Sequence, residues 1–354
     1  MRNTLHTRQL TQVMQANVNR TAINHAVALE TAAQHEVDIV CIQEPWVDED
    51  VAREKTQSHP SYRIFAPEST WSARPRAMLY SKKGLRAEQT WLGTAHPDVV
   101  VADISLGHDT LRVASVYNAG PSSIGSQEGL RHVMSHPLTG NTLLCGDYNA
   151  HHPLWDVNAR DNTAAPANNL YGWLDATGCT VLNSAHQPTH DQGAVLDLAI
   201  ASPSLVQRRL CTSEVNHDMH CGSDHASVLT RIEATIQNLP NRTGRFNVKK
   251  IDKEKFAQAC RQEYEANLRH IRPPRGTEDL DAVVQRLLSS VTRRIGQTAP
   301  RVKPRTVGQP WWDDQCQEVV RTYRHHRRSA SDHELVQDAK SALRRVVRRA
   351  KSKM

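Results

Sequence analysis

The sequence predicts an α/β (α+β) fold followed by a helical, basic C-terminal extension. Strand-like and helix-like segments alternate through the front part of the chain, which is the pattern of sheets covered by helices. Near residue 235 the apolar strand-like runs stop, and charged helical segments separated by proline-containing breaks begin. These two observations place one large domain in front of a helical appendage.

The strands are predicted from apolar runs and from alternation. "LTQVMQANV" (10–18) alternates as a half-buried strand does, and "VDIVCIQEP" (37–45) is a continuous apolar run stopped by proline. Similar runs predict the remaining strands at 62–66, 77–81, 99–106, 111–117, 141–145, 179–183, 195–201 and 227–233. The number and shortness of these strands favour a sheet-rich domain.

The helices are predicted from apolar positions at helical spacing. "INHAVALETAAQHE" (23–36) has this spacing, and the same argument predicts helices at 126–134, 167–177, 249–268 and 278–295. At the C-terminus Val336, Ala339, Leu343 and Ala350 share one face, with arginines opposite. The adjacent Trp311 and Trp312 are expected to anchor this tail helix on another part of the protein rather than to stack on bases.

The length of 354 residues exceeds the about 100–200 residues of a usual domain, so more than one part is expected. "NLPNRTGRFN" (238–247) has the composition of a linker. We therefore divide the chain into an α/β domain (1–235), a helical connector (236–310) and a basic amphipathic helix (311–354).

Composition excludes some classes of protein. No apolar run approaches the roughly 18 residues of a membrane span, and the N-terminus lacks the apolar segment of a secretory signal. The seven cysteines are odd in number and none has C-x-x-C spacing, which favours reduced thiols. We expect an intracellular protein without a membrane partner, and the sequence carries no signal for its oligomeric state.

The charge is divided along the chain. Residues 1–240 carry 17 Lys and Arg against 24 Asp and Glu, whereas residues 241–354 carry 27 against 13. A basic segment favours a polyanionic partner, and carboxylates in the front part suit a hard divalent cation. For the basic part, an ordinary solvated helix surface is the alternative interpretation.

Polar side chains stand at the ends of six apolar strands. One such residue is ordinary at the edge of a core strand, so the joint pattern carries the inference. The residues concerned are Asn17, Glu44, Tyr117, Asn118, Asp147, Asn149, Asp197, Ser223, Asp224 and His225.

These residue types point to phosphodiester chemistry. Glu44, Asp224 and Asn17 supply hard oxygen ligands, which suit Mg²⁺ or Mn²⁺ better than zinc. Hydrolysis of a phosphodiester needs charge neutralisation at the phosphate and an aligned water. An aspartate beside a histidine fixes the tautomer and supplies an imidazolium for a phosphoryl oxygen.

Six motifs carry a resemblance to a known family. "QANVNR", "CIQEPW", "SVYNAG", "CGDYNAHHPLW", "VLDLAIAS" and "GSDHASV" occur in the order typical of the endonuclease/exonuclease/phosphatase superfamily. The match covers about residues 10–235, and the "NAHHPLW" continuation resembles the apurinic-type endonuclease of non-LTR retrotransposons. "GRFN…KKIDKEKF" and "PWWDDQC" resemble the connector that follows this domain in such elements.

The resemblance implies a four-layer α/β sandwich, with two β-sheets packed face to face and the active site at one rim. It also implies a nuclear protein whose basic end leads into a reverse transcriptase in a full element. No YxDD-like tetrad occurs in the sequence, so we expect a chain truncated before that enzyme. Double-stranded DNA is the expected substrate, and element RNA is a second expected partner of the basic region.

The resemblance also implies a role for each motif residue. Glu44 is expected to be the principal metal ligand, with Asn17 and Asp224 near the same Mg²⁺ or Mn²⁺ ion. Asp147 is expected to orient or deprotonate the attacking water or to assist the leaving group. The phosphate contacts are expected from Asn149, from His225 oriented by Asp197, from Tyr117, and from Asn118 and Ser223 nearby.

The adjacent histidines are treated separately. His151 and His152 cannot both face inward from an extended loop, since neighbouring side chains alternate. We expect one to pack under the site with Pro153 and Trp155 and the other to reach DNA, with metal ligation the least favoured role. Similarly disfavoured is a zinc site built from Cys211, His217, His220 and Cys221, because its spacing is irregular.

The sequence departs from the family pattern at two positions. Ala16 stands where an aromatic residue often precedes the first Asn, and Gly120 replaces an Asn that often follows the tyrosine strand. Neither position is one of the predicted catalytic residues. They leave open whether Asn118 compensates and whether the enzyme is active.

Three functions are compatible with these observations. The first is a Mg²⁺-dependent endonuclease that nicks double-stranded DNA and leaves a 3′-hydroxyl. The second is a phosphatase or phosphodiesterase acting on small phosphate esters, since the superfamily shares this core. The third is an inactive nucleic-acid-binding remnant, which would show salt-dependent DNA affinity without cleavage. The basic back part and the "NAHHPLW" string favour the first.

Overall fold

Two compact units make up the chain in the computed structural model. One contains Met1–Asn238 together with Thr306–Met354, and the other contains Leu239–Arg305. The residues described by the structure are 10–67, 71–106, 109–120, 123, 125–159, 165–234, 251–269, 277–299, 308–329 and 332–353.

The first unit contains two six-stranded sheets. In chain order the strands are β1 (Leu10–Asn17), β2 (Ile39–Gln43), β3 (Tyr62–Phe65), β4 (Ala77–Lys82), β5 (Ala87–Thr90), β6 (Val99–Ser105), β7 (Thr110–Tyr117), β8 (Asn141–Asp147), β9 (Thr180–Val181), β10 (Asp197–Ala201), β11 (Cys211–Val215) and β12 (Val228–Glu233). The first sheet has the order β11-β12-β1-β2-β4-β3 and the second the order β5-β6-β7-β8-β10-β9.

The α-helices are, in chain order, α1 (Ala22–Gln34), α2 (Glu128–Met134), α3 (Ala165–Thr177), α4 (Pro203–Arg208), α5 (Lys253–Glu263), α6 (Thr277–Thr298), α7 (Asp314–Arg328) and α8 (His333–Ser352). Within the described residues, none of the helices combines the length and hydrophobicity needed to cross a bilayer. Strands β5 and β11 and helix α4 are additions to the predicted elements.

The two sheets pack face to face and are covered by helices on both outer faces. One apolar cluster lies between the sheets and includes Val13, Cys41 and Leu143. A second cluster joins the outer face of the first sheet to α1, α7 and α8, and a third joins the outer face of the second sheet to α2 and α3. This arrangement confirms the four-layer α/β sandwich.

Strand periodicity explains which polar residues reach the inside of the sandwich. Val13 and Cys41 face the cluster between the sheets, whereas their neighbours Met14 and Ile42 face the outer helices. Alternate residues of a strand share a face, so residues two and four positions after an inward residue also point inward. The last polar side chain on the inner face of each of these strands therefore lies at the same rim.

The C-terminal residues form two helices on the sandwich, where the sequence predicts one. Helices α7 and α8 each begin at an aspartate cap, since Asp313 accepts from the Cys316 amide (2.9 Å) and Asp332 from the Glu334 amide (3.3 Å). The buried face of this helical hairpin joins the apolar cluster under α1, and Trp311 and Trp312 pack against the same cluster. That residues 236–310 and 311–354 are separate domains stays a prediction.

The second unit has a polar core around one glutamate. Helix α5 begins at Asp252, whose side chain accepts from the Lys255 amide (3.0 Å), and continues into a π-helical turn at Tyr264–Leu268. Glu263 is 3% exposed, accepts from Ser290 of α6 (3.2 Å) and forms an ion pair with Arg294. This pairing satisfies the buried carboxylate and holds α5 against α6.

A buried histidine in α1 makes the stability of the sandwich depend on pH. His25 is fully buried; its Nδ1 accepts from the Trp46 amide (3.2 Å), and its Nε2 lies 2.9 Å from the Tyr80 hydroxyl. The Tyr80 hydroxyl donates to the Gln57 carbonyl (2.8 Å), so neutral His25 satisfies its neighbours with a proton on Nε2 only. Burial lowers the pKa of His25 to about 3.

We expect the free energy of unfolding to fall as the pH decreases below 6.5. Below this pH His25 is protonated in the unfolded chain but not in the folded protein. The free energy of unfolding therefore falls by about 1.4 kcal/mol per pH unit for this one group. Urea unfolding at several pH values between 7 and 5 measures this slope. His25→Gln removes the proton and should flatten the slope by that amount; an unchanged slope would contradict the assignment.

Candidate active site

Three side chains form a row across the second sheet at one rim. Tyr117 and Asp147 are paired positions on the parallel strands β7 and β8, and Asp147 and Asp197 are paired positions on the antiparallel strands β8 and β10. Gly146 permits this close pairing, because a Cβ there would lie 2.1 Å from the Val116 carbonyl oxygen. The row places two carboxylates side by side on the inner face.

The first sheet contributes amide side chains to the same place. The Asn17 side chain, at the end of β1, donates to Asp147 Oδ2 (3.0 Å). Two positions earlier, Gln15 donates to Asp197 Oδ1 (3.3 Å) and to the Gly146 carbonyl (2.8 Å). These hydrogen bonds connect the two sheets directly at the carboxylates.

A histidine–aspartate pair lies at the centre of the site. His225 Nδ1 is 2.7 Å from Asp197 Oδ2, and its Nε2 is 3.9 Å from Asp147 Oδ2. Burial lowers the pKa of His225, but Asp197, Asp147 and Asp224 together outweigh it and raise the pKa to about 10. At neutral pH His225 is therefore an imidazolium held in one orientation by Asp197.

Asp147 is a carboxylate whose proton affinity is raised. Burial, followed by the nearby charge of Asp197, raises its pKa to about 7. The charge of His225 and the hydrogen bonds from Asn149 and Asn17 oppose this shift only in part. A carboxylate with a pKa near neutrality exchanges protons readily, as a general base must. Near neutral pH Asp147 can thus accept a proton while His225 holds one, so the two groups suit different roles within one site.

The turn after Asp147 is held by amides. Asn149 adopts φ 44° and donates from its backbone to Asp147 Oδ1 (3.0 Å) and from its side chain to the Asn118 carbonyl (2.7 Å). The Asn118 side chain is buried and donates to the Tyr148 carbonyl (2.7 Å). Asn118 therefore shapes the turn, and a direct contact of Asn118 or Asn149 with substrate stays a prediction.

Glu44 follows β2 on the facing sheet. The Arg20 guanidinium (3.1 Å) and the Tyr117 hydroxyl (2.5 Å) both donate to its Oε1. Burial and the Glu44 charge raise the pKa of Tyr117 above that of an ordinary phenol, so Tyr117 keeps its proton and can donate it in a hydrogen bond.

Asp224 and Ser223 lie on the loop before β12. Asp224 Oδ1 accepts from the Asn19 side chain (3.2 Å) and from the Ser223 hydroxyl (3.2 Å), while its Oδ2 is 3.8 Å from His190 Nε2. Ser223 is buried and accepts from the His225 amide (3.3 Å). Ser223 thus orients the loop that carries Asp224 and His225, and its role in substrate binding stays a prediction.

The donor set at Glu44 fits a hard divalent cation. Both protein donors use Oε1, and in the described part of the chain Oε2 takes no other donor, which leaves it available as a ligand. The side-chain oxygen Oδ1 of Asn17, at the end of β1, accepts from the Asn19 backbone amide (2.8 Å). Asn19 connects Asn17 to Asp224, but a shared ion between Glu44 and Asp224 stays a prediction.

A second group of possible ligands was not foreseen. His190, Asp224 and His225 present ligand atoms that all lie within 4.8 Å of one another. Among the described residues, this is the one group of three His, Cys, Asp or Glu side chains close enough to hold a metal ion. The unfavoured zinc interpretation gains no support, since the Cys211 thiol is directed to the Arg209 carbonyl (3.7 Å).

The adjacent histidines His151 and His152 have different surroundings. His152 stacks on Tyr171 with ring centroids 4.6 Å apart and also contacts Trp155. His151 is exposed and pairs with Asp156 (3.0 Å). One histidine therefore packs and the other faces solvent, and a DNA contact from His151 or His152 stays a prediction.

The structure adds partners that the sequence did not indicate. Gln15 contacts Asp197, and Arg20 contacts Glu44. Asn19 and His190 both contact Asp224. Asn19 and Arg20 follow directly after Asn17 in "QANVNR", so proximity to that motif was a usable signal. Nothing local marks His190, whose position depends on the pairing of its loop with His225.

Comparisons with known proteins extend this description. Residues 111–229 match the family model described as "Endonuclease-reverse transcriptase". The match confirms the predicted resemblance over the stretch that carries Tyr117, Asp147, Asp197 and His225. A search of the curated proteins gives no match.

Solved structures of nucleases are similar to this chain. The endonuclease domain of TRAS1, a telomere-specific non-LTR retrotransposon, has 23% identity and a TM-score of 0.49 over 63% of this chain and 98% of that chain. The AP endonuclease of Leishmania major has 14% identity and a TM-score of 0.47 over 63% and 88%. The APE2 catalytic domain of Xenopus laevis has 16% identity and a TM-score of 0.48 over 65% and 94%.

Proposed function

We propose that this protein is a Mg²⁺-dependent endonuclease that nicks double-stranded DNA and leaves a 3′-hydroxyl. The observation that carries the proposal is the joint placement of a His225–Asp197 pair, a carboxylate of raised pKa at Asp147 and a Glu44–Tyr117 pair on one rim. Together these groups supply a ligand for the cation, the base and the proton donors that phosphodiester hydrolysis needs.

The residues divide the reaction between them. Asp147 accepts a proton from the attacking water, and protonated His225 donates from Nε2 to a phosphoryl oxygen as negative charge develops there. Asp197 keeps the imidazolium in this orientation. The Tyr117 hydroxyl donates to Glu44 in the structure, and on substrate binding it would turn its one proton from Glu44 to a second phosphoryl oxygen. A bond forms between the water oxygen and phosphorus, and the bond from phosphorus to O3′ breaks. O3′ takes up a proton from solvent water to become the hydroxyl of the nick, and the phosphate stays on the 5′ end.

Glu44 and Asn17 would hold the cation, with Asp224 as a further ligand. A bound Mg²⁺ or Mn²⁺ ion supplies neutralisation of the phosphate charge in this chemistry. Without it, the carboxylates at Asp147, Asp197 and Glu44 repel a phosphodiester. Cation dependence therefore follows from the acidic character of the rim.

Charge supports DNA as the substrate class. The 27 basic against 13 acidic residues of 241–354 suit a polyanion larger than a small ester. The similarity to the AP and retrotransposon endonucleases also favours the proposal that DNA is the substrate. A nuclear location and RNA binding by the basic region are further proposals from that resemblance.

Parallel assays of two substrate classes test this proposal. With Mg²⁺ the protein should convert supercoiled plasmid to open circles and should not measurably hydrolyse small phosphate monoesters or diesters. Hydrolysis of the small esters alone would favour the phosphatase alternative. Salt-dependent DNA binding without cleavage would favour the inactive remnant.

A further inference from the structure

The C-terminal helical hairpin is fixed to the loop that carries the catalytic histidine. Arg324 of α7 is 7% exposed and donates to the His220 carbonyl (3.1 Å) and to the Thr31 hydroxyl (2.6 Å). Leu343 of α8 packs on Gly222, where a Cβ would lie 3.0 Å from its methyl group. A buried guanidinium with satisfied donors holds one geometry. The hairpin therefore packs as a fixed part of the first unit, which contains the candidate active site.

A groove of about 720 Å³ lies between this hairpin and the sandwich. The sandwich side is formed by Val215, His217 and six residues of the loop from 186 to 193, and the hairpin side by Arg327, His333, Val336 and Gln337. Half of the lining residues carry an imidazole or an amide group. They are hydrogen-bonding side chains that suit phosphate and sugar oxygens.

The groove reaches the candidate catalytic residues at His190. This residue lines the groove, its ring centroid is 4.7 Å from that of His225, and its Nε2 is 3.8 Å from Asp224 Oδ2. One wall of the groove therefore lies next to His225 and Asp224.

Acidic groups beside the groove already have basic partners. Asp191 pairs with Arg327, and Asp218 pairs with Arg328 (2.8 Å). Half-buried Lys340 of α8 lies within the electrostatic reach of Asp191 and Asp224. The hairpin as a whole, residues 308–353, carries 11 Lys and Arg against 6 Asp and Glu. The formal charges in the groove lining are Arg327 and Asp191, so the attraction for a polyanion comes from the hairpin as a whole.

We propose that this groove binds the phosphodiester backbone of the DNA strand next to the cleaved bond. The proposal rests on the proposed function, since it names the path of that substrate. It also gives the C-terminal hairpin a direct part in substrate binding, through residues that follow the stretch matched by the family model.

A single charge placed in the groove tests the proposal. Gln337→Glu puts a carboxylate on the hairpin wall, and Arg345→Gln changes the net charge by the same amount at an exposed position of α8 that does not line the groove. Binding of a labelled duplex of about 20 base pairs is measured by fluorescence anisotropy with chelator present, so that no cleavage occurs. Gln337→Glu should weaken binding about fivefold and Arg345→Gln less than about twofold.

The outcomes separate this proposal from the proposed function. Equal binding by the two variants would overturn the groove, even if the unmodified protein nicks DNA. Selective weakening by Gln337→Glu would support the groove, even if the unmodified protein binds the duplex and cleaves nothing. Circular dichroism and thermal unfolding of both variants show that each retains the fold.

Discussion

His225→Ala should lower the rate of Mg²⁺-dependent plasmid nicking by at least about a thousandfold. The variant removes the imidazolium that the three carboxylates stabilise and leaves Asp147 and Asp197 as adjacent buried carboxylates without a cation between them. Transition-state charge on the phosphoryl oxygen then loses its donor. Initial rates of open-circle formation measure the effect.

A matched histidine variant serves as the control. His35 is exposed at the C-terminal end of α1, before β2, whereas Glu44 follows the far end of that strand. His35→Ala should therefore nick at an unchanged rate. Duplex binding by His225→Ala in the presence of chelator should also stay within about twofold of the unmodified protein, because the binding contacts outside the site persist. Nicking retained by His225→Ala would refute its catalytic role.

Glu44→Gln should reduce nicking by a comparable factor, of at least about a thousandfold, at the same Mg²⁺ concentration. The amide keeps the shape of the side chain and still accepts from Arg20 and Tyr117, but it is a weak ligand for a hard cation. The loss should therefore appear in cation binding as well as in activity. Isothermal titration of Mg²⁺ into each protein measures the binding directly.

Glu49→Gln provides the same chemical change at an exposed position on the same loop. It should leave both the Mg²⁺ titration and the nicking rate unchanged. A Glu44→Gln protein that binds Mg²⁺ and nicks as the unmodified protein does would place the cation elsewhere. The His190–Asp224–His225 group would then be the next site to test.

Strand periodicity explains why much of the site was predictable. Asn17, Tyr117, Asp147 and Asp197 each stand an even number of positions from a core residue of the same strand, so a correct strand assignment also places them on the inner face. His225 precedes β12 within the motif "GSDHASV", and Asp197 lies within "VLDLAIAS". These local patterns were sufficient to name the residues, and the register then determines their neighbours.

Local sequence patterns could not predict the contacts between segments that are distant in the sequence. Gln15 has the polar character of many strand residues, and only the packing of the two sheets brings it to Asp197. Strand β11 was missed because its residues are half-buried or exposed and carry no apolar run. Edge strands of this kind are determined by pairing, not by composition.

The hairpin illustrates the same limit. The apolar face of α8 indicates that something covers it, but periodicity does not name the partner. In the structure the partner is α1 and the first sheet, and this packing makes the groove beside His190. Arg324, which reads as one more surface arginine in "RTYRHHRR", is among the most buried cations of the described residues.

The most direct test of the central claim joins cation dependence to product chemistry. Supercoiled plasmid is incubated with the protein in Mg²⁺ and, in parallel, in excess chelator, and the nicked product is then offered to a DNA polymerase without further treatment. Our account predicts open circles only with Mg²⁺ and polymerase extension from the nick, which requires a 3′-hydroxyl. Nicking that persists in chelator, or nicks that the polymerase cannot extend until a 3′-phosphate is removed, would contradict it.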